Sequence, residues 1–327
     1  MKIGTIIENN KKISVILSQN NKIKKIPDFE NPKNNISILD LVNKLCEDHD
    51  HLIRLQSESS NFESINEKNI DWAPPLFNPS KIIGVAFNNK ELVKKAHVDP
   101  GVPNFFLKPP SCLQGHNKPI IVDPEWGAVI PEPEICAIIG KKAKHISREN
   151  ALDYIFGYTI HNDVTSHGLK FGKDSIAITY DQDLARPEFY KWRNLHGSDD
   201  TDAYYVYHTR SKGTDTFGPM GPWITTKDEI KDPNNLQVSA SLNLETFTID
   251  HTSNYRFSIE ECISEASKYF TLEVGDLISF GTTGKGTGRF KRGHKSVLIG
   301  EESGSISITI DPLGTLSNNI LHQKGGA

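Results

Sequence analysis

Cysteine is scarce in this chain of 327 residues, and what there is lies apart. Cys46, Cys112, Cys136 and Cys262 form no CxxC pair and have no histidine at zinc-finger spacing. That argues against a thiolate zinc site or a dithiol redox motif, and the thiols are read as reduced and unpaired. Long apolar runs are also missing. None approaches the roughly 18 residues that a bilayer span requires, and the N-terminal MKIGTIIENNKK lacks the apolar core of a signal peptide. The expected compartment is the cytoplasm. Charge of one sign is not in excess: a formal charge of -4 and a pI near 6.3 give no reason to expect nucleic acid or an anionic membrane as partner. Three familiar catalytic signatures, GxSxG, HExxH and the P-loop, are absent. The glycine-rich 281-GTTGKGTGRFKRG-293 lacks the spacing of a phosphate cradle, and the RFKRGHK that follows does not open an apolar-faced helix. Internal repeats and low-complexity tracts are absent as well.

What is present is ordinary soluble composition and a strand-rich pattern. Residues 1 to 30 alternate apolar and polar, with Asn-rich breaks that read as turns between short strands. The segment 37-SILDLVNKLCEDHDHLIRLQ-56 has apolar residues at three- and four-residue steps behind a capping Ser, which predicts one helix. The Pro-rich 73-APPLFNPS-80 reads as a linker. A small N-terminal α+β domain over 1–72 and a catalytic domain over 73–327 are expected. Beyond Lys81 strand-like runs recur (KIIGVAF, NFFLK, ICAIIG, YIFGYTI, GPWITT, LQVSASLNL, LISFG, SVLIG, SISITI), with helices expected at 148-RENALDYIF-156 and 258-SIEECISEASKYF-270. Many short strands with few helices between them favour a β-rich α+β barrel or sandwich over a doubly wound parallel sheet.

The chemistry gathers at 130-IPEPEICAIIGK-141. Glu132 and Glu134 share one side of a strand-like run and repel each other there. In 157-GYTIHNDVTSHG-168, Asp163 follows a second apolar strand where the chain turns out of it. Three carboxylates at strand ends can surround a hard divalent cation such as Mg²⁺, which prefers oxygen ligands and keeps several waters. From spacing alone, two solvated strand-edge glutamates and an aspartate capping a turn explain the residues equally well.

A series of motifs bears on that choice: 80-SKIIGVAFNN-89, 103-PNFFLKPPS-111, 131-PEPEICAIIGKKAKHIS-147, 157-GYTIHNDVT-165, 211-SKGTDTFGPMGPW-223, 275-GDLISFGTTG-284 and 313-LGTLSN-318. In order and spacing it resembles the fumarylacetoacetate hydrolase family over roughly residues 80 to 320. The resemblance implies a β-roll of mixed sheets with peripheral helices, and a homodimer formed through it. It implies Mg²⁺, with Mn²⁺ or Ca²⁺ as substitutes, held by Glu132, Glu134 and Asp163; the cation between the acids then turns their repulsion into affinity. It also implies that Lys212 holds a water or the substrate's oxygens, that Thr282 lines the substrate site, and that Asp215, Phe217 and Pro219 shape the loop after Lys212, with Asp215 placed to support the metal ligands. Thr283 stands where the family has proline.

The chain departs from the family at two places. Hydrolytic members carry N-Y-x-x-H-A-x-E, whose His and Glu activate water, whereas 88-NNKELVKK-95 puts Leu92 and Lys95 there. His97, five residues beyond Leu92, is the substitute base the sequence offers. After Asp163 the family's arginine and glutamine are replaced by 166-SHGLK-170, so His167 and Lys170 become the expected anion contacts. The aromatic-rich insert 174–210, with Arg186, Trp192, Arg193, Tyr204, Tyr205 and Tyr207, either walls the pocket or packs at a subunit contact.

The reaction common to the family passes through a metal-stabilised enolate of a 2-oxo acid or 1,3-dicarbonyl compound. Cleaving a C–C bond by hydrolysis needs an activated water; decarboxylation, isomerisation and dehydration do not. The sequence ranks hydrolysis of an acylpyruvate-like carboxylate narrowly first. Next come a decarboxylase, isomerase or 2-oxo-3-deoxy sugar acid dehydratase, and then an inactive small-molecule binding protein.

Overall fold

The computed structural model describes residues 1–28, 34–66, 68, 70–96, 99–179 and 202–324. His97 and residues 180–201 of the aromatic-rich insert, including Arg186, Trp192 and Arg193, lie outside the described residues.

Two sheets hold most of the strands. Their members, in chain order, are β1 (Lys2–Glu8), β2 (Lys11–Leu17), β3 (Ile23–Lys25), β4 (Ile82–Ala86), β5 (Asn104–Lys108), β6 (Ile120–Val122), β7 (Pro133–Ile139), β8 (Ile155–Asn162), β9 (Trp223–Thr226), β10 (Gln237–Leu242), β11 (Glu245–His251), β12 (Leu277–Ser279), β13 (Gly304–Ile310) and β14 (Gly314–His322). A nine-stranded mixed sheet runs β3-β2-β1-β9-β8-β7-β12-β4-β5, and a five-stranded sheet runs β11-β10-β13-β14-β6. This is the strand-rich α+β architecture that the short runs predict.

The central strand β7 is buried at every residue, and alternation explains how. Ile135, Ala137 and Ile139 enter a core shared with Val238, Ala240, Ile306 and Ile308 of the five-stranded sheet. Cys136 and Ile138 point the other way, into a core with Ile3, Ile16 and Leu41. A strand covered on both faces reads as a continuous apolar run, which is why ICAII follows the acidic pair. The second of these cores draws on the first 72 residues. β1 pairs with β9 through Lys2 and Thr225, and the segment read as a linker is packed: Thr5 Oγ1 donates to the Pro75 carbonyl at 2.9 Å, and Ala73 and Leu76 are buried. We keep the division at 1–72 and 73–327 as a proposal about folding units; within the sheet there is no gap between them.

The helices differ from expectation at two places. The 37–56 segment forms two helices, α1 (Ile38–Glu47) and α2 (His49–Glu58), because Asp48 is extended (φ -136°, ψ 108°) and its side chain caps α2 by accepting from Asp50 N. Aspartate competes well for such a backbone donor, so it ends one helix and starts the next. The 148–156 segment is not a helix beyond the short turn Ala151–Tyr154; Ile155 and Phe156 already belong to β8, where β-branched and aromatic residues pack well. The helix expected over 258–270 is present over Ile259–Tyr269, with Ser258 and Glu261 forming a capping box. Among the described residues no helix is long and apolar enough to cross a membrane.

Candidate active site

The pairing of β7 with β8 sets the site. Their antiparallel register puts His161 opposite Glu134 and Asn162 opposite Pro133, so Asp163, the first residue past β8, lands beside Glu132. Asp163 N donates to the Glu132 carbonyl at 2.9 Å, and Glu132 N donates to Asn162 Oδ1 at 2.9 Å. One oxygen from each of Glu132, Glu134 and Asp163 can be chosen so that all lie within 4.8 Å of one another. The edge-residue reading is therefore set aside for Glu134 and Asp163, which are buried.

Each carboxylate is held differently. Glu134 Oε2 accepts from Ser279 Oγ on β12 at 2.6 Å and from Gly281 N at 3.0 Å, and no described donor reaches its Oε1. Gly281 can sit this close because it has a φ of +99°, and a Cβ there would lie 3.0 Å from that of Asn88. Asp163 Oδ1 accepts from Lys108 Nζ at 2.5 Å, while Lys212 Nζ bridges Asp163 Oδ2, Glu132 Oε2 at 2.7 Å and Thr165 Oγ1 at 2.7 Å. Lys212 comes from a short helix, α5 (Thr209–Gly213), fixed by Asp174, whose Oδ2 accepts from Ser211 N at 2.7 Å. Its ammonium also lies 4.6 Å from the centre of the Phe106 ring.

The electrostatics follow from this packing. Burial, with Asp163 and Glu132 as near like charges, pushes the Glu134 carboxyl up to about 8. Burial works the same way on Asp163, but Lys108 and Lys212 outweigh it and hold the group well below the usual carboxylate range. Burial disfavours the Lys212 ammonium; Asp163 and Glu132 more than offset that and raise it. Three acids against two ammonium groups leave one carboxylate unmatched. Its free oxygen, in an all-oxygen donor set, fits a hard divalent cation.

Beside the acids lies a cavity of about 100 Å³, lined by Glu132, Glu134, Asp163, His167, Lys170, Lys212 and Thr282 as well as Leu92, Phe106, His208 and Lys295. The seven acids, bases and hydroxyl expected from sequence thus meet in one place. His97 cannot be located among the described residues. Asp215 is exposed, and no described hydrogen bond joins it to the metal ligands, so it is not placed as their support. Phe217 does shape the site: its carbonyl accepts from Lys108 Nζ at 2.9 Å. Thr282 Oγ1 is buried without a hydrogen-bond partner, as a hydroxyl reserved for a ligand would be.

Lys108, Thr165, Ser279, His208, His294 and Lys295 were not legible as site residues in the sequence. Lys108 ends a strand read only for its apolar run, and a lysine after such a run is usually solvated. His294 is buried with neither ring nitrogen hydrogen-bonded, 3.8 Å from Glu132 Oε1; burial pushes it down to about 4, so it is neutral.

Residues 81–321 match the family described as fumarylacetoacetate (FAA) hydrolase, C-terminal. The chain belongs to the fumarylacetoacetate hydrolase family. Its relatives include the mitochondrial oxaloacetate tautomerase fahd2 of Xenopus laevis, 31% identical over 80% of this chain and 72% of that protein. The oxaloacetate tautomerase YisK of Bacillus subtilis is 32% identical over 75% of this chain and 71% of its own. Among solved structures, maleylpyruvate hydrolase from Sphingobium sp. SYK-6, in complex with manganese(II) and pyruvate, superposes with a TM-score of 0.72. It covers 99% of this chain and 100% of its own at 22% identity, which is a likeness of fold. In this family's terms, Glu132, Glu134 and Asp163 stand at the E-x-E and N-D motifs and Lys212 in the S-K-G-T motif.

Proposed function

We propose that this family member is a metal-dependent enzyme that interconverts the keto and enol forms of a small 2-oxo acid. The observation that carries the reading is Leu92. At the position of the family's water-activating histidine this chain places a buried leucine that lines the cavity, and Lys95, at the glutamate position, is exposed. An apolar wall beside the reacting carbon disfavours an attacking water, and keto–enol exchange requires none. This moves isomerisation ahead of hydrolysis, and the oxaloacetate tautomerases among the relatives support the same order.

A divalent ion held by Glu132, Glu134 and Asp163 would supply Lewis-acid polarisation of the 2-oxo carbonyl; Mg²⁺ is the ion we propose, with Mn²⁺ and Ca²⁺ as alternatives. The protein's own groups do the rest. Lys212 is charged and its three N–H groups are held by Asp163, Glu132 and Thr165, so it acts by its fixed positive charge beside an oxygen that gains negative charge as the C3 proton leaves. His208 and His167 line the same cavity. Burial, reinforced by Lys170 and Lys212, brings His208 down to about 4, and burial also lowers His167; both imidazoles are therefore neutral bases able to take that proton. The C3–H electron pair becomes the C2–C3 double bond, the oxygen at C2 takes a proton from water, and the imidazolium returns the C3 proton to water, so the exchange is neutral in protons. Thr282 Oγ1 is the free hydroxyl for the acid's carboxylate. A homodimer, implied by the family, is also proposed, and light scattering of the purified protein tests it.

The first substrate to try is oxaloacetate. Absorbance of the enol should relax to equilibrium faster with Mg²⁺ or Mn²⁺ and protein, and EDTA or Glu134→Gln should abolish the gain. NMR of the same mixtures separates the rivals: two acids mean hydrolysis, loss of CO₂ means decarboxylation, and unchanged ligand on a metal-loaded protein means a binding protein.

A further inference from the structure

We propose that Lys170 and Lys295 together receive a second carboxylate, and that this pair selects a 2-oxo dicarboxylate over a 2-oxo monocarboxylate of equal length. The proposal rests on the 2-oxo acid reading above and adds the residues that decide which acid is taken. Both lysines line the cavity that Glu132, Glu134 and Asp163 close, and both are partly buried.

Their ammonium groups differ from the other two at this site. Lys108 and Lys212 are paired with carboxylates. Neither Lys170 nor Lys295 has an ion pair or a hydrogen-bond acceptor among the described residues; Lys170 Nζ lies 5.2 Å from the centre of the Phe171 ring. Burial, with Lys212 and Lys295 as like charges, pushes Lys170 down, against the pull of Glu132. Glu132 attracts both ammonium groups but makes no ion pair with either among the described residues, and its Oε2 is taken by Lys212 and Thr165. Two partly buried cations lining one cavity, without acceptors among the described residues, are costly unless an anion joins them. We assign that anion as a second carboxylate, because the carboxylate next to the 2-oxo group is already given to the free hydroxyl of Thr282.

The source of Lys295 gives the glycine-rich segment a purpose. Residues 281–293 have the wrong spacing for a phosphate cradle, yet they end in the turn Gly293–Ser296. Gly293 has a φ of +58°, and a Cβ there would lie 2.6 Å from the Lys285 carbonyl, so the bend that presents His294 and Lys295 to the site requires glycine. Lys170 arrives independently, from the helix α4 (His167–Gly172), whose Ser166 cap accepts from Leu169 N at 2.9 Å.

The test is calorimetric titration of the Mn²⁺-loaded protein with oxaloacetate and with 2-oxobutyrate, which carries a methyl group in place of the second carboxylate. Wild type should bind oxaloacetate at least about ten-fold tighter, the effect of one charge-assisted contact. Lys295→Met and Lys170→Met should each erase most of that preference by weakening oxaloacetate alone, and Lys295→Arg should restore it in part. Lys291→Met, an exposed neighbour on the same loop, should leave both affinities within about two-fold, which separates contact from general charge. Unchanged Mn²⁺ affinity shows that each variant is folded at the site. Equal affinity of wild type for the two acids overturns the proposal, as does equal weakening of both by Lys295→Met. A charge-selective protein that fails to speed keto–enol exchange overturns the catalytic reading and supports the subsite; exchange without charge selection does the reverse.

Discussion

Two halves of one cavity settle their charges in opposite ways. Around Asp163 the charges are mostly met within the protein: Lys108, Lys212, Thr165, Ser279 and Gly281 all direct donors at the three acids, and the open atoms there are Glu134 Oε1, left for a cation, and the neutral His161 Nε2, Asn162 Nδ2 and Ser211 Oγ. Around Lys170 and Lys295 the needs are unmet: two ammonium groups without acceptors among the described residues, and Thr282 and His208 on the same cavity and His294, next to Lys295 in the chain, with unpartnered buried atoms. The first half is built to keep its geometry whether or not a ligand is present. The second is built to be completed. A buried polar network that is satisfied specifies structure, and one left open points at what must arrive.

If that contrast holds, the largest effect in the molecule comes from breaking a pair in the satisfied half. Lys108 and Asp163 are both buried. Replacing Lys108 with Met removes the ammonium and leaves Asp163 with one cation fewer, which costs about 3–5 kcal/mol by the precedent of broken buried pairs. Urea denaturation without metal should show this, and saturating Mn²⁺ should recover part of it. A loss below about 1 kcal/mol would mean that Lys212 alone is enough, and the contrast would weaken. Next in size is Lys212→Met, which takes away the fixed positive charge beside the substrate oxygen. The expected drop in kcat is about 100- to 1,000-fold, the usual toll of losing one such electrostatic contact, measured at saturating metal. A rise in KM with kcat unchanged would move Lys212 from catalysis to binding.

Glu134 gives a pH test with a definite sign. Its carboxyl titrates at about 8 when folded against an ordinary 4.5, so between those values the folded state keeps a proton that the unfolded state has lost. Stability without metal then falls as pH rises. Lowered histidines such as His294, at about 4 against 6.5, act in the opposite direction up to their ordinary value. Asp163, held low, adds stability that is lost only in acid, and Lys212, held high, keeps its contribution throughout. The informative window is therefore pH 6.5 to 8. In it, Tm in EDTA should drop by a few degrees, the gap between metal-loaded and metal-free protein should widen, and Glu134→Gln should flatten the metal-free slope. A flat wild-type slope would show that the three acids are already balanced without a cation.

How legible each half is in the sequence follows from the same contrast. The acids could be found because E-x-E before an apolar run and N-D after one place charge where a strand should be buried, and that conflict is visible in one dimension. Lys212 and Thr282 came from motif order. Lys108 and Lys295 came from neither, since a lysine closing an apolar strand and a lysine in a basic glycine-rich loop each have an ordinary solvated reading. Only the fold, which brings residues 163, 170, 212 and 295 to one cavity and sets Lys108 behind Asp163, removes it. Helix ends are hard to read in the sequence for a related reason. Asp48 satisfies helical periodicity on both sides, and only its extended backbone separates α1 from α2; the strand register that claims Ile155 and Phe156 is a long-range property.

The smallest predicted effect falls on what holds the open half in shape. Asp250 is buried, and its Oδ2 accepts from Asn89 Nδ2 at 3.1 Å and from Gly284 N at 2.7 Å. Asn89 in turn caps the short helix α3 (Lys90–Val93) that carries Leu92 and donates to the Thr282 carbonyl at 3.3 Å. One carboxylate thus ties the Leu92 wall to the Thr282 loop without touching a metal ligand. Asp250 Oδ1 accepts from His251 N and Asn254 Nδ2, so Asp250→Asn turns an NH2 toward two donors whichever way the amide lies, at about 1–3 kcal/mol of stability. Its effect on turnover should be mild, about a five-fold rise in KM with kcat and metal affinity nearly unchanged. A fall in metal affinity as large as the rise in KM would show that the two halves are held by one scaffold and not by two, and the contrast between them would have to be redrawn.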